Sequence, residues 1–161
     1  MENKRLKICL LSYRSNPRSG GQGVYIKFLS KALVDLGHQV DVISSEPFPE
    51  LDSSVKLIKI FGLNLFEKGN HVTALRLKHL FSFTDFFEWL SMLTGGFAEP
   101  YTFGRRVLKY LKNNHADYDI IHDNQSLSYA LITLKKRGWP VFATIHHPIS
   151  LDLKIALDHE Q

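Results

Sequence analysis

Short apolar runs alternate with amphipathic segments along most of the chain. The apolar runs predict five strands, at residues 6–13, 40–43, 55–61, 117–122 and 140–146. Apolar positions that recur every three or four residues predict helices at 24–36, 100–113 and 126–136, and a pair of helices within 71–93. Strands that alternate with helices favour parallel pairing through right-handed crossovers. We therefore predict an α/β fold, a Rossmann-like parallel sheet with helices on both faces.

The spacing of apolar positions also predicts which side chains are buried. Gly37 follows the first predicted helix directly and is expected to end it. That helix is expected to bury one face, made of Val24, Phe28, Leu29, Ala32, Leu33 and Leu36. The helix at 126–136 is expected to bury Leu127, Ala130, Leu131 and Leu134. The segment 71–93 has two interpretations: its large apolar side chains pack on the sheet, or part of them rests on a membrane or an apolar acceptor.

A glycine-rich segment separates the first predicted strand from the first predicted helix. It reads Ser19, Gly20, Gly21, Gln22, Gly23. Glycines ahead of a helix let the backbone approach a ligand, and the unpaired amides of the first helical turn favour an anion. The alternative is a turn that only links strand to helix.

Polar and ionisable residues follow three of the predicted strands. They are Ser12, Tyr13 and Arg14 after the first strand, His122, Asp123 and Asn124 after the fourth, and His146, His147 and Pro148 after the fifth. Because ligands of parallel sheets bind at the carboxyl ends of the strands, we expect these residues to converge on one edge. A metal site made of the three histidines and Asp123 is an alternative, although the spacing is not that of a recognised zinc site.

Composition narrows the possible partners. Lys and Arg outnumber Asp and Glu by 20 to 16, and these charges are scattered, which favours an anionic small molecule or a lipid surface over nucleic acid. The single cysteine, Cys9, lies inside an apolar run and is expected to be core. We find no signal peptide and no stretch long enough to span a bilayer, which leads us to expect a cytoplasmic protein. The length suits one domain over residues 1–161.

Three of these segments together resemble a known family. Residues 20–43, with Gly20-Gly21-Gln22-Gly23 and Gly37-His38-Gln39-Val40, resemble the opening of the retaining, nucleotide-sugar-dependent glycosyltransferases of family 4, which have the GT-B fold. Residues 119–124 and 140–146 resemble the fourth-strand and fifth-strand motifs of that family. The resemblance implies two Rossmann-like domains that face each other across a cleft. Residues 1–161 would be most of the first, acceptor-side domain, with the C-terminal donor-nucleotide domain absent.

The resemblance implies an activity and a set of partners. The activity is hexosyltransferase-like transfer of a sugar from a nucleotide-sugar donor to a glycan or lipid acceptor, with retention of configuration and no cofactor. The partners are these two substrates, the protein's own C-terminal domain and, as a peripheral contact, the inner face of the membrane. The chain alone is expected to be inactive because the family's donor-nucleotide contacts lie mostly in the second domain.

The resemblance also implies roles for residues on the donor side. Gly21 would bring its amide to the donor diphosphate, while Gly20 and Gly23 allow the approach. His146 would bind and orient the donor sugar, as the catalytic residue of this half.

The acceptor side takes its residues from several segments. Gln22, His122 and Asn124 correspond to family positions that face the acceptor, and Asn124 stands where the family has a second histidine. We place Tyr13, Arg14 and His147 there from their positions after predicted strands.

Two other functions remain open. A dinucleotide-binding oxidoreductase domain would need a third glycine where Ile26 stands, and a tighter loop than this one, although Glu46 lies near the place of a ribose-binding acid. A non-enzymatic interaction domain of the same fold would not depend on His146.

Overall fold

Parallel strands form a sheet in which the strand order reverses next to the first strand. The computed structural model describes residues 4–18, 21–64 and 82–146. Within these ranges the order is β3-β2-β1-β4-β5, and every neighbouring pair is parallel. The strands are β1 Lys7–Ser12, β2 Gln39–Ser44, β3 Lys56–Lys59, β4 Ile120–Asn124 and β5 Val141–Thr144. The reversal between β1 and β4 is where such sheets bind ligands.

Helices cover both faces of the sheet, which confirms the predicted α/β architecture. They are α1 Gly21–Asp35, α2 Phe83–Leu93, α3 Glu99–Asn113 and α4 Ala130–Lys136. On one face α1 packs Ile26, Leu29 and Leu33 against the strands. On the other, α3 and α4 contribute Phe103, Val107, Leu111 and Leu134 to a core that includes the fully buried Cys9. Alternate residues of each strand serve the two cores.

The buried face of α1 differs from the predicted one. Its fully buried residues are Gly23, Ile26 and Ser30, whereas Phe28 is 66% exposed and Leu36 is 65% exposed. Val24 and Ala32 are exposed as well. Leu29 and Leu33 of the predicted face do pack against the strands. The small residues Gly23 and Ser30 let α1 approach the sheet closely, so the most deeply buried positions are not the large apolar ones that the prediction counted. The predicted end at Gly37 is confirmed, since its φ of +91° suits a glycine after a helix.

The region around β4 begins and ends later than the sequence predicted. Tyr118, predicted to lie in the strand, precedes it and donates its buried hydroxyl to Asp41 at 2.8 Å. After the strand, the Asp123 carboxylate accepts hydrogen bonds from the backbone N–H groups of Ser126 and Leu127. This turn delays α4 to Ala130 and leaves Leu127 outside the helix and 41% exposed. His122, Asp123 and Asn124 are therefore the last residues of β4 rather than the loop after it.

Helix α2 packs against α3 through polar contacts instead of lying on the sheet by its apolar side. Glu88, 3% exposed, accepts hydrogen bonds from Thr102 Oγ1 and Arg106 Nη1, both at 2.6 Å. Arg106 also pairs with Asp85. The aromatic residues Phe83, Phe86 and Phe87 of α2 are exposed, whereas residues 71–81 of the predicted helical pair lie outside the described ranges. No helix in the described part of the chain is long and apolar enough to cross a membrane.

Candidate functional site

The ends of β4 and β5 meet the start of α1 around His146. The His146 ring places Nε2 2.6 Å from Oδ1 of Asn124, and its backbone N–H donates to Gln125 Oε1 at 2.8 Å. The Tyr25 ring of α1 meets the imidazole edge to face, with 4.7 Å between ring centroids. His146 is exposed, yet contacts from two neighbouring segments fix its position. The predicted convergence on one edge is therefore seen for the ends of β4 and β5, which meet at His146.

A buried hydrogen-bonded row lies beneath His146. Asn124, 1% exposed, donates from Nδ2 to Ser12 Oγ at 3.2 Å, and Ser15 Oγ donates to the same oxygen at 2.6 Å. Ser12 and Ser15 are both fully buried. These bonds tie the ends of β1 and β4 together. Buried polar groups that are fully paired in this way hold a single arrangement.

His122 belongs to a second hydrogen-bonded group at the same end of the sheet. Its Nε2 lies 2.7 Å from Thr144 Oγ1, which is 3.4 Å from the hydroxyl of Tyr25. Burial lowers the pKa of His122, and the nearby Asp123 carboxylate opposes this only in part. Burial therefore favours the neutral form of the ring. The ring also borders an apolar groove lined by Leu29, Leu33 and Phe142 among others.

Asp123 has a structural role on the opposite face of β4. Burial raises the pKa of its carboxyl, while hydrogen bonds from Ser126 and Leu127 act in the other direction. Because all of these bonds lie in the turn that follows β4, Asp123 shapes the segment that leads to Gln125. Gln125 itself has a φ of +52°. This left-handed conformation is unusual for a residue with a side chain.

The glycines of the first turn of α1 have different surroundings. Gly21 is the first residue of this 15-residue helix, is exposed, and has open space where a Cβ would project. A Cβ on Gly23 would lie 2.3 Å from the carbonyl oxygen of Asn16. Gly23 therefore lets the loop after β1 lie directly against the helix. The first turn contains no acidic residue, so its free amides and the positive end of the helix dipole are not neutralised from within the helix.

Tyr13 and Arg14 lie on the other side of the sheet from His146. Tyr13 packs against the core under α3 and meets Phe97 edge to face, with 6.3 Å between centroids. Burial raises the pKa of its hydroxyl, and Arg14 opposes that rise in part. Arg14 approaches Glu99 at 3.8 Å. Tyr13, Glu46 and Glu99 line one small pocket beside α3. Glu46 therefore faces α3 and not α1, where a ribose-binding acid would be needed.

The remaining predicted site residues are placed only in part. Gln22 is half-buried in the first turn of α1, whereas Gly20 and His147 lie outside the described residues. The predicted roles of all these residues stay predictions. Within the described ranges no group of three or more His, Cys, Asp and Glu side chains is arranged to hold a metal ion.

Three residues of the site were not among the predicted ones. Tyr25 and Gln125 contact His146. Thr144 contacts His122 through its hydroxyl. Gln125 and Thr144 were missed because the predicted ends of β4 and β5 were displaced along the chain. Tyr25 lies one helical turn after Gly21, and that spacing was an available signal.

With this geometry in place, comparison with known proteins identifies the family. The family model described as Glycosyltransferase Family 4 matches residues 19–159. The chain belongs to glycosyltransferase family 4. The match includes the glycine segment, the end of β4 and His146, so the sequence resemblance to this family is confirmed.

This family 4 chain is also similar to a curated enzyme. An MMP alpha-(1->4)-mannosyltransferase of Mycolicibacterium hassiacum is 42% identical over 151 residues. The alignment covers 93% of this chain and 37% of that enzyme, so the chain spans well under half of its relative's length. A solved structure described as LpCGTa in complex with UDP aligns with a TM-score of 0.48 and 14% identity, over 87% of this chain and 30% of that one.

The close contact between Gly23 and the loop after β1 can be tested by adding a side chain at Gly23. Gly23→Ala places a methyl group against the Asn16 carbonyl, so we expect the free energy of unfolding to fall by about 1–3 kcal/mol. Gly21→Ala is the matched control, because that methyl group meets open space. Urea unfolding followed by circular dichroism measures both. Equal stabilities for the two variants would contradict the close contact.

Proposed function

We propose that this chain is the acceptor-side half of a glycosyltransferase that moves a hexose from a nucleoside diphosphate sugar to an acceptor. The observation that carries the proposal is the contact between the first turns of α1 and His146. The N-terminus of α1 has no acidic residue to offset its positive dipole. Both lie at the end of the sheet where the strand order reverses. Membership of family 4 and similarity to a mannosyltransferase support it. From that relative we propose mannose as the first sugar to test.

The start of α1 suits the leaving group of this reaction. As the bond from the sugar carbon to the phosphate oxygen breaks, negative charge grows on the departing diphosphate. Amides at a helix N-terminus and the positive end of its dipole stabilise such charge. Gly21 is exposed and has open space where a Cβ would project, which supports the approach of a phosphate group to this end of the helix.

His146 suits the donor sugar. An imidazole held by Asn124, Tyr25 and the Gln125 side chain offers a sugar hydroxyl a fixed partner. Fixed partners lower the cost of bringing the reacting groups into line. We propose retention of configuration, with the departing phosphate taking the acceptor proton on the same face, and we assign no protein base.

The rest of the reaction needs a second half. We propose that a separate domain supplies most of the nucleotide contacts, in keeping with the 37% of the relative that this chain spans. The acceptor would then lie between the two halves, near Gln22 of α1 and the pocket lined by Tyr13 and Glu99. We also propose His147 as an acceptor contact, from its place in the sequence. Turnover is therefore expected only from a protein that contains both halves.

The amide of Gly21 can be removed with little change in backbone shape. Gly21→Pro deletes the N–H at the first helical position, where proline is tolerated. We expect at least about a tenfold loss in affinity for GDP-mannose or UDP-glucose, which corresponds to about 1.4 kcal/mol. Gly21→Ala keeps the amide and should bind like the unchanged protein. The measurement is calorimetric titration of the full-length protein.

Two results of that titration would count against the proposal. One is equal affinity of the proline and alanine variants, which would remove the amide from the diphosphate site. The other is saturable binding of NADH with no binding of nucleotide sugars, which would favour an oxidoreductase domain.

Removal of the imidazole tests the donor-sugar role. His146→Ala in the full-length protein should lower turnover by roughly 10²-fold, a typical loss for one fixed polar partner of the transition state. Release of nucleoside diphosphate from GDP-mannose measures turnover. The variant should stay folded with a modest fall in Tm, because His146 is exposed but its loss removes the partner of the buried Asn124 amide oxygen. Undiminished turnover in a folded variant would indicate that His146 is not part of the reaction.

The aromatic side of α2 suggests a peripheral membrane contact. Phe83 is 65% exposed, Phe87 is 38% exposed, and the Arg105 guanidinium lies 5.6 Å from the Phe83 ring centroid. Aromatic rings beside a cation suit the interface of an anionic bilayer. We therefore propose that α2 contacts the membrane, which would bring a lipid-linked acceptor close to the site.

Vesicle sedimentation tests this contact. The protein should pellet with phosphatidylcholine vesicles that contain phosphatidylserine, and Phe83→Ser with Phe87→Ser should weaken binding about tenfold or more. Phe142→Ser is the control, since Phe142 is 58% exposed on β5 rather than on α2. If the unchanged protein stays in the supernatant at low salt, the membrane contact is wrong.

A further inference from the structure

The side chain of Asn124 connects the exposed His146 with the buried end of β1. Its amide oxygen contacts Nε2 of His146 at 2.6 Å, and its amide nitrogen donates to Ser12 Oγ at 3.2 Å. With 1% of its surface exposed, Asn124 reaches the edge of the site through the histidine. Its amide is therefore placed to determine which nitrogen of the His146 ring carries the proton.

The amide of Asn124 has its nitrogen toward β1 and its oxygen toward His146. Ser12 Oγ accepts a hydrogen bond from the Ser15 hydroxyl at 2.6 Å. The amide nitrogen of Asn124 donates to the same oxygen and is thereby directed toward β1. Its carbonyl oxygen, which can only accept, is left facing His146. Because Ser12 and Ser15 are fully buried, water does not compete for these bonds.

We propose that Asn124 is a positioning residue that holds the ring proton of His146 on Nε2 and leaves Nδ1 as a hydrogen-bond acceptor. In a neutral imidazole one nitrogen donates and the other accepts, so a fixed donor at Nε2 determines the role of Nδ1. Among the residues that the structure describes, none forms a hydrogen bond to Nδ1.

A ring proton held on Nε2 gives His146 a definite chemical preference toward the donor sugar, a role that rests on the proposed function. The ring would accept a hydrogen bond at Nδ1 from a hydroxyl group of the donor sugar instead of donating one to it. A sugar in which that hydroxyl is replaced by hydrogen would leave Nδ1 without its partner. Tyr25 and the Gln125 contact keep the ring in place, so this preference is built before any ligand arrives.

Nuclear magnetic resonance of ¹⁵N-histidine-labelled full-length protein tests the assignment without any substrate. At about pH 8, where an ordinary imidazole is neutral, long-range ¹H–¹⁵N spectra distinguish a protonated ring nitrogen from an unprotonated one. His146→Ala identifies the signals of His146. We expect Nε2 to be protonated and Nδ1 to be unprotonated, with no averaging between the two forms.

Two substitutions at position 124 separate proton placement from simple packing. Asn124→Leu removes the acceptor, and both ring nitrogens of His146 should shift toward averaged values. Asn124→Asp restores an acceptor, and Nε2 should remain protonated. A Thr144→Val control should shift the signals of His122, whose Nε2 contacts the Thr144 hydroxyl, and leave those of His146 in place.

The outcomes that overturn the inference differ from those that overturn the proposed function. A proton on Nδ1 in the unchanged protein, or an unaltered His146 spectrum in Asn124→Leu, would show that Asn124 does not set the ring. Failure to turn over any nucleotide sugar, with the expected spectra intact, would reject the transferase and leave the role of Asn124 standing.

Discussion

The parallel pairing of β4 with β1 is the constraint on which the rest of the site depends. In this register Leu10 lies opposite His122 and Leu11 opposite Asp123, so the next pair brings Ser12 beside Asn124. Pairing of β4 with β5 then places Asn124 opposite Thr144. One row across three strands thus carries the polar groups that hold both histidines. A shift of one residue would turn that row to the other face of the sheet.

The sequence predicted the architecture well because each layer has its own periodicity. Continuous apolar runs fit strands buried on both faces, and the glycine after α1 ended the helix where it was expected. Boundaries near β4 were harder. Tyr118 has the composition of a strand residue, yet it bonds to Asp41 on a distant strand, and the turn set by Asp123 delays the next helix. Both effects are tertiary or side-chain interactions that apolar spacing does not record.

The candidate site was predictable in its position and less so in its internal organisation. Glycines before a helix and His146 after a strand are local signals. Tyr13 and Arg14 follow the end of β1, so the alternation of side chains along the strand does not set their positions. Their contacts with Phe97 and Glu99 do, and these are tertiary contacts that the local sequence does not record. The burial of Asn124 was not predictable from its own neighbours, because β1 and β5 enclose it from either side.

The buried polar row also explains how an exposed histidine can be held still. Polar groups taken out of water destabilise a fold unless they are paired, and every buried side-chain nitrogen and oxygen in the described residues has a partner. A fully paired network of this kind favours a single arrangement of its side chains. Asn124 belongs to it, so its hydrogen bond restricts the orientation of the His146 ring. In the proposed transferase of two halves, the reacting groups would meet only when both halves hold the substrates. Polar groups that are already fixed in one half would leave less to be ordered at that moment, which would be the physical advantage of placing Asn124 beneath His146.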